Sequence, residues 1–281
     1  MKRRGAAART AGRILLYLLL TAITIVTVYP IVQIFGISLR PANELYSTSL
    51  RIIPEGASFD SYRKVLFEKD FFVWLRNSAI VALAVSVFGV TFASTSGYAF
   101  SRFRFRGKKT GMIVILVTQM FPATMLLLPL YVIMSALHLV DTLLGIIIAY
   151  TATALPFCIW TMKGYYDTIP VDLEEAAMID GTTRVGAFVR VTLPLSAPAL
   201  VITALFSFMA GWSEFIVARV IINQQKLYTL PLGLESLSST FQTEWANYAA
   251  GSIIVCIPVV ALFLLLSRFL ISGLTLGGVK G

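Results

Sequence analysis

The chain alternates long apolar runs with shorter polar connections, and the runs are longer than the core helices of a soluble domain need. Six stand out: Ile14–Gly36, Trp74–Phe100, Met112–Ala136, Leu143–Met162, Ala197–Ile221 and Tyr248–Ile271. About 20 helical residues cross the roughly 30 Å of hydrocarbon in a bilayer, where only helices or closed barrels satisfy their own backbone. The pattern therefore predicts an all-α, polytopic membrane protein with six transmembrane helices, residues 1–281 forming a single transmembrane domain. The first run follows Lys2, Arg3 and Arg4, as the apolar part of a signal peptide would. It continues past a signal's usual length and shows no small-x-small cleavage site, so it is read as a first span.

Composition agrees, with 57% hydrophobic and 13% charged residues in 281. The formal charge of +9 does not point to nucleic acid, because its distribution follows the spans. Lys2, Arg3, Arg4, Arg9 and Arg13 precede the first run, and Arg102, Arg104, Arg106, Lys108 and Lys109 crowd the second connection without one acid. Basic residues in short loops stay cytoplasmic. Both termini and the loops 101–111 and 163–196 are then expected inside, and the loops 37–73 and 223–246 outside. Fifteen of the 23 Lys and Arg fall on the inner side. The loop 37–73 also carries basic residues, but acids match them.

Candidate chemistry is sparse. Cys158 and Cys256 lie inside proposed spans, where a thiol behaves as a small apolar group. His138 stands alone in a short outer loop, without the Cys or carboxylate neighbours of a metal site. No metal ligands are expected. Arg106–Gly111 has the lysines of a phosphate cradle without its glycine spacing, and no catalytic constellation occurs. The chain is expected not to be an enzyme, and energy for any pumping must come from elsewhere.

The most polar run, EEAAMIDGTTRVGAFVRVTLP from Glu174 to Pro194, lies between the fourth and fifth apolar runs. Locally it predicts a short helix with both ends specified. Pro170 closes off the preceding chain, Asp172 is placed as N-cap, and Glu175 stands at N3 in an acidic version of the capping box. Glu174 and Glu175 complement the positive end of the helix dipole. Gly181 suits the left-handed residue that ends such a helix. Leu173, Ala176, Ala177 and Asp180 share one side, and small residues there let another surface approach closely. Thr182 or Thr183 then caps a second short helix, which Leu193 and Pro194 are expected to stop before Ser196 and Pro198 open the fifth span. A helix lying on an anionic inner leaflet would be rich in Lys and Arg. This one carries Asp172, Glu174, Glu175 and Asp180, so a protein partner is the better explanation.

That loop resembles the signature loop of permease subunits in ABC importers: E-A-A, three residues, G, nine residues, then I-x-L-P. Glu175, Ala176, Ala177, Gly181, Val191, Leu193 and Pro194 fall in register, with Val191 in place of Ile. Gly97–Lys109, Gln119–Tyr131, Gly211–Ala218 and the C-terminal LTLGGVKG extend the likeness along essentially the whole chain, to the carbohydrate-uptake branch of maltose permease type. The resemblance implies an inner-membrane subunit whose loop forms a cytoplasmic coupling helix in a cleft of an ATPase, with Asp172, Glu174, Glu175, Ala176, Ala177, Asp180 and Gly181 at that contact. It further implies a heterodimer with a second permease, two copies of the ABC ATPase carrying ATP and Mg, and an extracytoplasmic solute-binding protein met by the outer segment Asn223–Ala246. The terminal GGVKG would touch the ATPase dimer, and this chain would bind no cofactor itself. The solute expected is a sugar, with a disaccharide such as maltose or trehalose, or a glycerol-phosphate, left open by the sequence.

Three residues near the end of the fifth run are candidates for a substrate pathway. Glu214 is an ionisable group at membrane depth, costly enough to be a functional candidate, or else an interfacial acid reaching water or Arg219. Trp212 and Phe215 beside it either stack on sugars or belong to the interfacial aromatic belt, the preferred reading for Trp212. Pro122, Pro129, Pro156, Pro198 and Pro258 punctuate the third to sixth runs as kinks or hinges. The alternative function is an ion-gradient-driven secondary transporter, which needs acids or broken helices at the midplane. A membrane scaffold is a further alternative, disfavoured by the specific loop.

Overall fold

The computed structural model describes residues 2–41, 51–238 and 243–276, with side chains described for all of these except residues 2–11, 123 and 268–276. Among them there is no β-strand, only an isolated bridge between Ser238 and Thr243. The helices are α1 (Lys2–Ser38), α2 (Asp60–Phe67), α3 (Phe71–Arg102), α4 (Lys108–Thr118), α5 (Leu127–Ala136), α6 (Leu143–Tyr166), α7 (Asp172–Ile179), α8 (Arg184–Ala187), α9 (Leu193–Leu195), α10 (Ala197–Ser213), α11 (Ile216–Ile221), α12 (Leu230–Glu235) and α13 (Trp245–Leu276).

Four segments are long and apolar enough to cross a membrane: Gly12–Ser38, Phe71–Arg102, Leu143–Tyr166 and Trp245–Ser267. A fifth is reached if Arg184–Leu195 and Ala197–Ser213, which meet at an 80° bend, count together. Two of the six expected runs are interrupted. The run Met112–Ala136 is α4, a break at Gln119–Pro122, one 3-10 turn over Ala123–Leu126, and α5. Pro122 explains the break, since it lacks an N–H and pushes the residue before it out of helical geometry. The run Ala197–Ile221 is α10, an extended Glu214 (φ −71°, ψ 133°) and the short α11.

Contacts group the chain into two compact units, Met1–Lys69 with Leu234–Val255, and Asp70–Gly233 with Cys256–Gly281. In the first unit the end of α1 is held by its own loop. The Ser38 hydroxyl shares a hydrogen bond with the Tyr62 hydroxyl at 2.8 Å, and Ser58 N–H donates to the Leu39 carbonyl. Lys69 pairs with Glu244 at 3.1 Å.

The core of the second unit is α3, α6 and α10, packed through small residues. Helices in lipid gain little from hydrophobic burial against one another, so close approach and interhelical hydrogen bonds must hold them. Gly211 of α10 lies so close to α3 that an added methyl would sit 2.7 Å from the Ala82 Cα. One would equally strike the Ser207 side chain from Gly89, and Met162 from Gly97. The Ser86 hydroxyl donates to the Ala204 carbonyl at 3.1 Å. Toward the other end of α3, Asn77 Nδ2 donates to the carbonyls of Lys226 (3.0 Å) and Tyr228 (2.9 Å), and Leu230 N–H donates to the Ser78 hydroxyl. The connection after Asn223 is therefore built onto α3 up to α12. Residues 239–242 of the expected outer loop 223–246, residues 42–50 of the loop 37–73 and the terminal Gly277–Gly281 lie outside the described residues.

Two glycines offer a test of this packing. Gly164 in α6 faces open space, so Gly164→Ala should raise stability by up to about 1 kcal/mol through helix propensity. Gly211→Ala makes the same chemical change against backbone that cannot yield cheaply, and should lower stability by about 1–3 kcal/mol. Thermal unfolding in detergent reads both signs.

Candidate functional site

The polar loop between α6 and α10 folds largely as its local chemistry dictates, with two shifts. Helix α7 begins one residue early: Val171 is the N-cap, Asp172 is the first helical residue, and no side chain caps this end. The carbonyl of Val171 instead accepts from the N–H groups of Glu174 and Glu175 at 2.9 and 3.1 Å. The expected capping box therefore does not form, because Pro170 and Val171 already turn the chain into the helix. At the other end Gly181 takes φ +90°, and Thr182 N–H donates to the Ala177 carbonyl while Gly181 N–H donates to that of Met178. That is the left-handed closure expected of this glycine. Thr183 then caps α8, its hydroxyl accepting from Gly186 N–H at 3.1 Å. A π turn over Phe188–Thr192 carries the helix past Pro194 to Leu195, so the stop falls at Ser196 and not at Leu193–Pro194. The wider turn accommodates a proline that has no N–H to give.

The two neighbouring glutamates of α7 face opposite ways. Glu175 is exposed, as are Asp172, Leu173, Ala176, Ile179, Asp180 and Gly181, while Ala177 is half-buried. Glu174 is turned into the chain. Its carboxylate accepts from Arg102 Nε at 2.7 Å and from the Tyr98 hydroxyl at 2.7 Å, and the Arg102 and Glu174 side chains are only 8% and 5% exposed. Arg102 Nη2 also donates to the Ile169 carbonyl at 2.9 Å, and Nη1 to the Ser101 hydroxyl at 3.1 Å. Ser101 donates in turn to Asp167, which Lys163 pairs one helical turn earlier. The ring of Tyr98 packs on Phe188 with centroids 4.4 Å apart and meets Tyr166 edge-on.

Burial by itself would raise the Glu174 pKa, but the Tyr98 and Arg102 hydrogen bonds and the Arg102 charge outweigh it and hold it below the ordinary value. Asp167 is likewise held low: burial opposes ionisation, while Lys163 and Ser101 favour it more strongly. Both carboxylates are charged at neutral pH.

The pathway candidates separate. Trp212 is 3% exposed and stacked on Phe208 at 5.4 Å, so it belongs to the packed interior and not to an aromatic belt at a water interface. Phe215 is half-buried against the core cluster that includes Val81, Tyr150 and Ile221. The Glu214 carboxylate accepts from Val217 N–H with both oxygens at 3.1 Å and from Ala218 N–H at 3.4 Å, capping α11. An acid is kept at this depth to satisfy backbone donors that the break between α10 and α11 leaves open. Beyond α11, Asp141 accepts from the N–H groups of Asn223 (2.6 Å) and Gln224 (3.1 Å), and these bonds hold its pKa below the usual carboxylate range. His138 is exposed, and among the described residues no three His, Cys, Asp or Glu gather as metal ligands.

Residues 86–274 match the family model described as the binding-protein-dependent transport system inner membrane component. The chain belongs to that family. This permease is 35% identical over 269 residues to the galactooligosaccharides transport system permease protein GanQ of Bacillus subtilis (strain 168), covering 94% of each chain. It is also 35% identical to the maltose/maltodextrin transport system permease protein MalG of Photorhabdus laumondii, covering 94% of the permease and 95% of that relative. Its fold matches a chain of a bacterial ABC transporter involved in the import of the acidic polysaccharide alginate, with a TM-score of 0.79 and 24% identity over 91% of the permease and 95% of that chain. The maltose-type resemblance is thereby shown.

Sequence reasoning missed the inward partners of the permease's loop. Arg102 reads as one of five basic residues in a topology signal, and Tyr98 as part of a span. Only the absence of acids around Arg102 hints that its partner comes from elsewhere. Removing one partner of a buried pair leaves an uncompensated charge, so Arg102→Ala should cost about 3–5 kcal/mol, and the apolar double substitution Arg102→Met with Glu174→Leu should recover most of it. Because the folded state lowers the Glu174 pKa, its stabilisation is complete above the ordinary value of 4.5 and is lost as pH falls below it. Thermal unfolding should show a steeper acid decline in the wild type than in the double variant.

Proposed function

We propose that the chain is a six-span permease subunit of an ATP-driven carbohydrate importer, supplying half of the translocation pathway and one coupling helix, α7. On this reading α4 and α5 together make the third crossing and α10 the fifth, both termini are cytoplasmic, and α7 seats in a cleft of a partner ATPase that binds ATP and Mg. A second permease subunit completes the pathway, and a solute-binding protein delivers the sugar from outside. The curated relatives named for oligosaccharide and maltodextrin transport support the solute class.

The single observation that carries this reading is the two-sided build of α7. Its outer side leaves Leu173, Glu175, Ala176, Ile179 and Asp180 exposed, with Ile179 86% exposed. Its inner side is fixed to α3 through Glu174, Arg102 and Tyr98. A push on the outer side therefore meets a firm base. The gradient-driven alternative loses its best acid, because Glu214 is engaged by the backbone of α11.

Glu175→Lys and Ala176→Trp alter only exposed positions, so the fold should survive both. In proteoliposomes with the partner ATPase and binding protein, each should lower ATP-dependent sugar uptake about tenfold, equivalent to about 1.4 kcal/mol of docking. Undiminished uptake in both variants, or uptake driven by an ion gradient without ATPase, would overturn the reading.

A further inference from the structure

A cavity of about 620 Å³ opens between α4 and the end of α6. The two helices run antiparallel here. Lys108 Nζ donates to the Ser101 and Phe103 carbonyls, close to the Ser101–Asp167–Lys163 chain, whereas Gln119 at the far end of α4 reaches the Thr153 carbonyl. Lys108, Lys109 and Lys163 therefore gather at one end of the cavity. Met112, Ile113, Leu116 and Trp160 line the rest. From Lys109 to Leu116 the apolar wall is about 10 Å long at 1.5 Å per residue.

The charge at the lysine end is only partly neutralised: Asp167 offsets Lys163, and Lys108 and Lys109 form no ion pair among the described residues. Asp167 is the acid there, and it is already bonded to Lys163 and Ser101. Lys109 is exposed, and among the described residues it makes no ion pair. The positive end of the α4 dipole points the same way. Two lysines without an ion pair and a third held by Asp167 stand above an apolar slot, with a 39% exposed Trp160 beside them, and this net positive end matches an amphiphile with an anionic head. A soluble anion would leave Ile113, Leu116 and Trp160 uncovered, and a helix of another subunit would have to bring its own acid to the lysine end.

We propose that this groove binds one anionic phospholipid of the leaflet on the loop side, its phosphate among Lys108, Lys109 and Lys163 and one acyl chain along Ile113, Leu116 and Trp160. Lys108 also borders the cavity that Glu175 of α7 lines, whereas Lys109, Ile113, Leu116 and Trp160 line this groove alone, so the test rests on those positions.

The test uses the full chain purified in detergent with whatever subunits accompany it, delipidated and re-equilibrated with equal phosphatidylglycerol and phosphatidylcholine. Lipid retained after gel filtration is counted by mass spectrometry. The wild type should retain phosphatidylglycerol in preference. Lys109→Gln, at an exposed position, should cut that retention about fivefold, Lys109→Arg should preserve it, and phosphatidylcholine should not respond to either. Ile113→Trp, which fills the slot from an exposed position, should expel phosphatidylglycerol. Equal retention of the two lipids, or no response to Lys109→Gln, would overturn the proposal. So would displacement of phosphatidylglycerol by excess inorganic phosphate, which would mark a soluble-anion site, or a photo-crosslinker at Ile113 that captures a protein subunit in place of lipid. Transport is not read in any arm, so failure here leaves the importer reading untouched.

Discussion

A carboxylate withdrawn from water must find donors and a counter-charge or give up its ionisation, and the inner side of the signature loop is organised around that demand. Glu174 meets it with Arg102 and Tyr98, both on the last turns of α3, and Arg102 extends the same network to the Ile169 carbonyl just before α7. Two segments about 70 residues apart in the chain are thereby joined at one point. The rings of Tyr98, Tyr166 and Phe188 close over it and keep water from competing for the pair. Breaking such a pair costs far more than making it gains, so the junction specifies one arrangement of the loop more than it adds to overall stability.

The membrane-embedded part depends on closeness. In lipid the apolar surface of a helix is already satisfied, so cohesion comes from fitting backbones together. Gly89, Gly97 and Gly211 allow that fit between α3 and its two neighbours, Ser86 adds a hydrogen bond from α3 to α10, and Ser207 of α10 meets Cys158 of α6. The same unit contains the breaks. Where α10 gives way to α11, Glu214 supplies the acceptor the open backbone needs, and where the chain turns at Asp141 a second carboxylate does likewise. Both acids serve here as acceptors for backbone N–H groups at breaks between helices.

Much of this was legible from residue order. The four long apolar helices follow from hydropathy, because the bilayer sets a length that few other environments demand. Gly181 could be assigned its left-handed turn and the next cap narrowed to Thr182 or Thr183, of which Thr183 serves, since each acts within four residues of itself. The loop's register with E-A-A and I-x-L-P led to the family before any geometry was known. Asp172 was misjudged as N-cap because Val171 enters the helix through backbone bonds alone, without a capping side chain to betray it. The run Met112–Ala136 read as one helix because hydropathy is blind to the break that Pro122 imposes.

The sequence by itself determined that the chain lives in a membrane, that a short acidic helix closed by Gly181 interrupts its apolar runs, and which family that helix signals. Each of these depends on composition or on spacing within a turn or two. Only the tertiary structure decided that Glu174 looks inward while Glu175 looks out, that Trp212 is core, and that Glu214 is a cap. Adjacent helical residues point about 100° apart. Which of two identical neighbours finds a counter-ion therefore depends on where α3, 72 positions earlier in the chain, comes to rest.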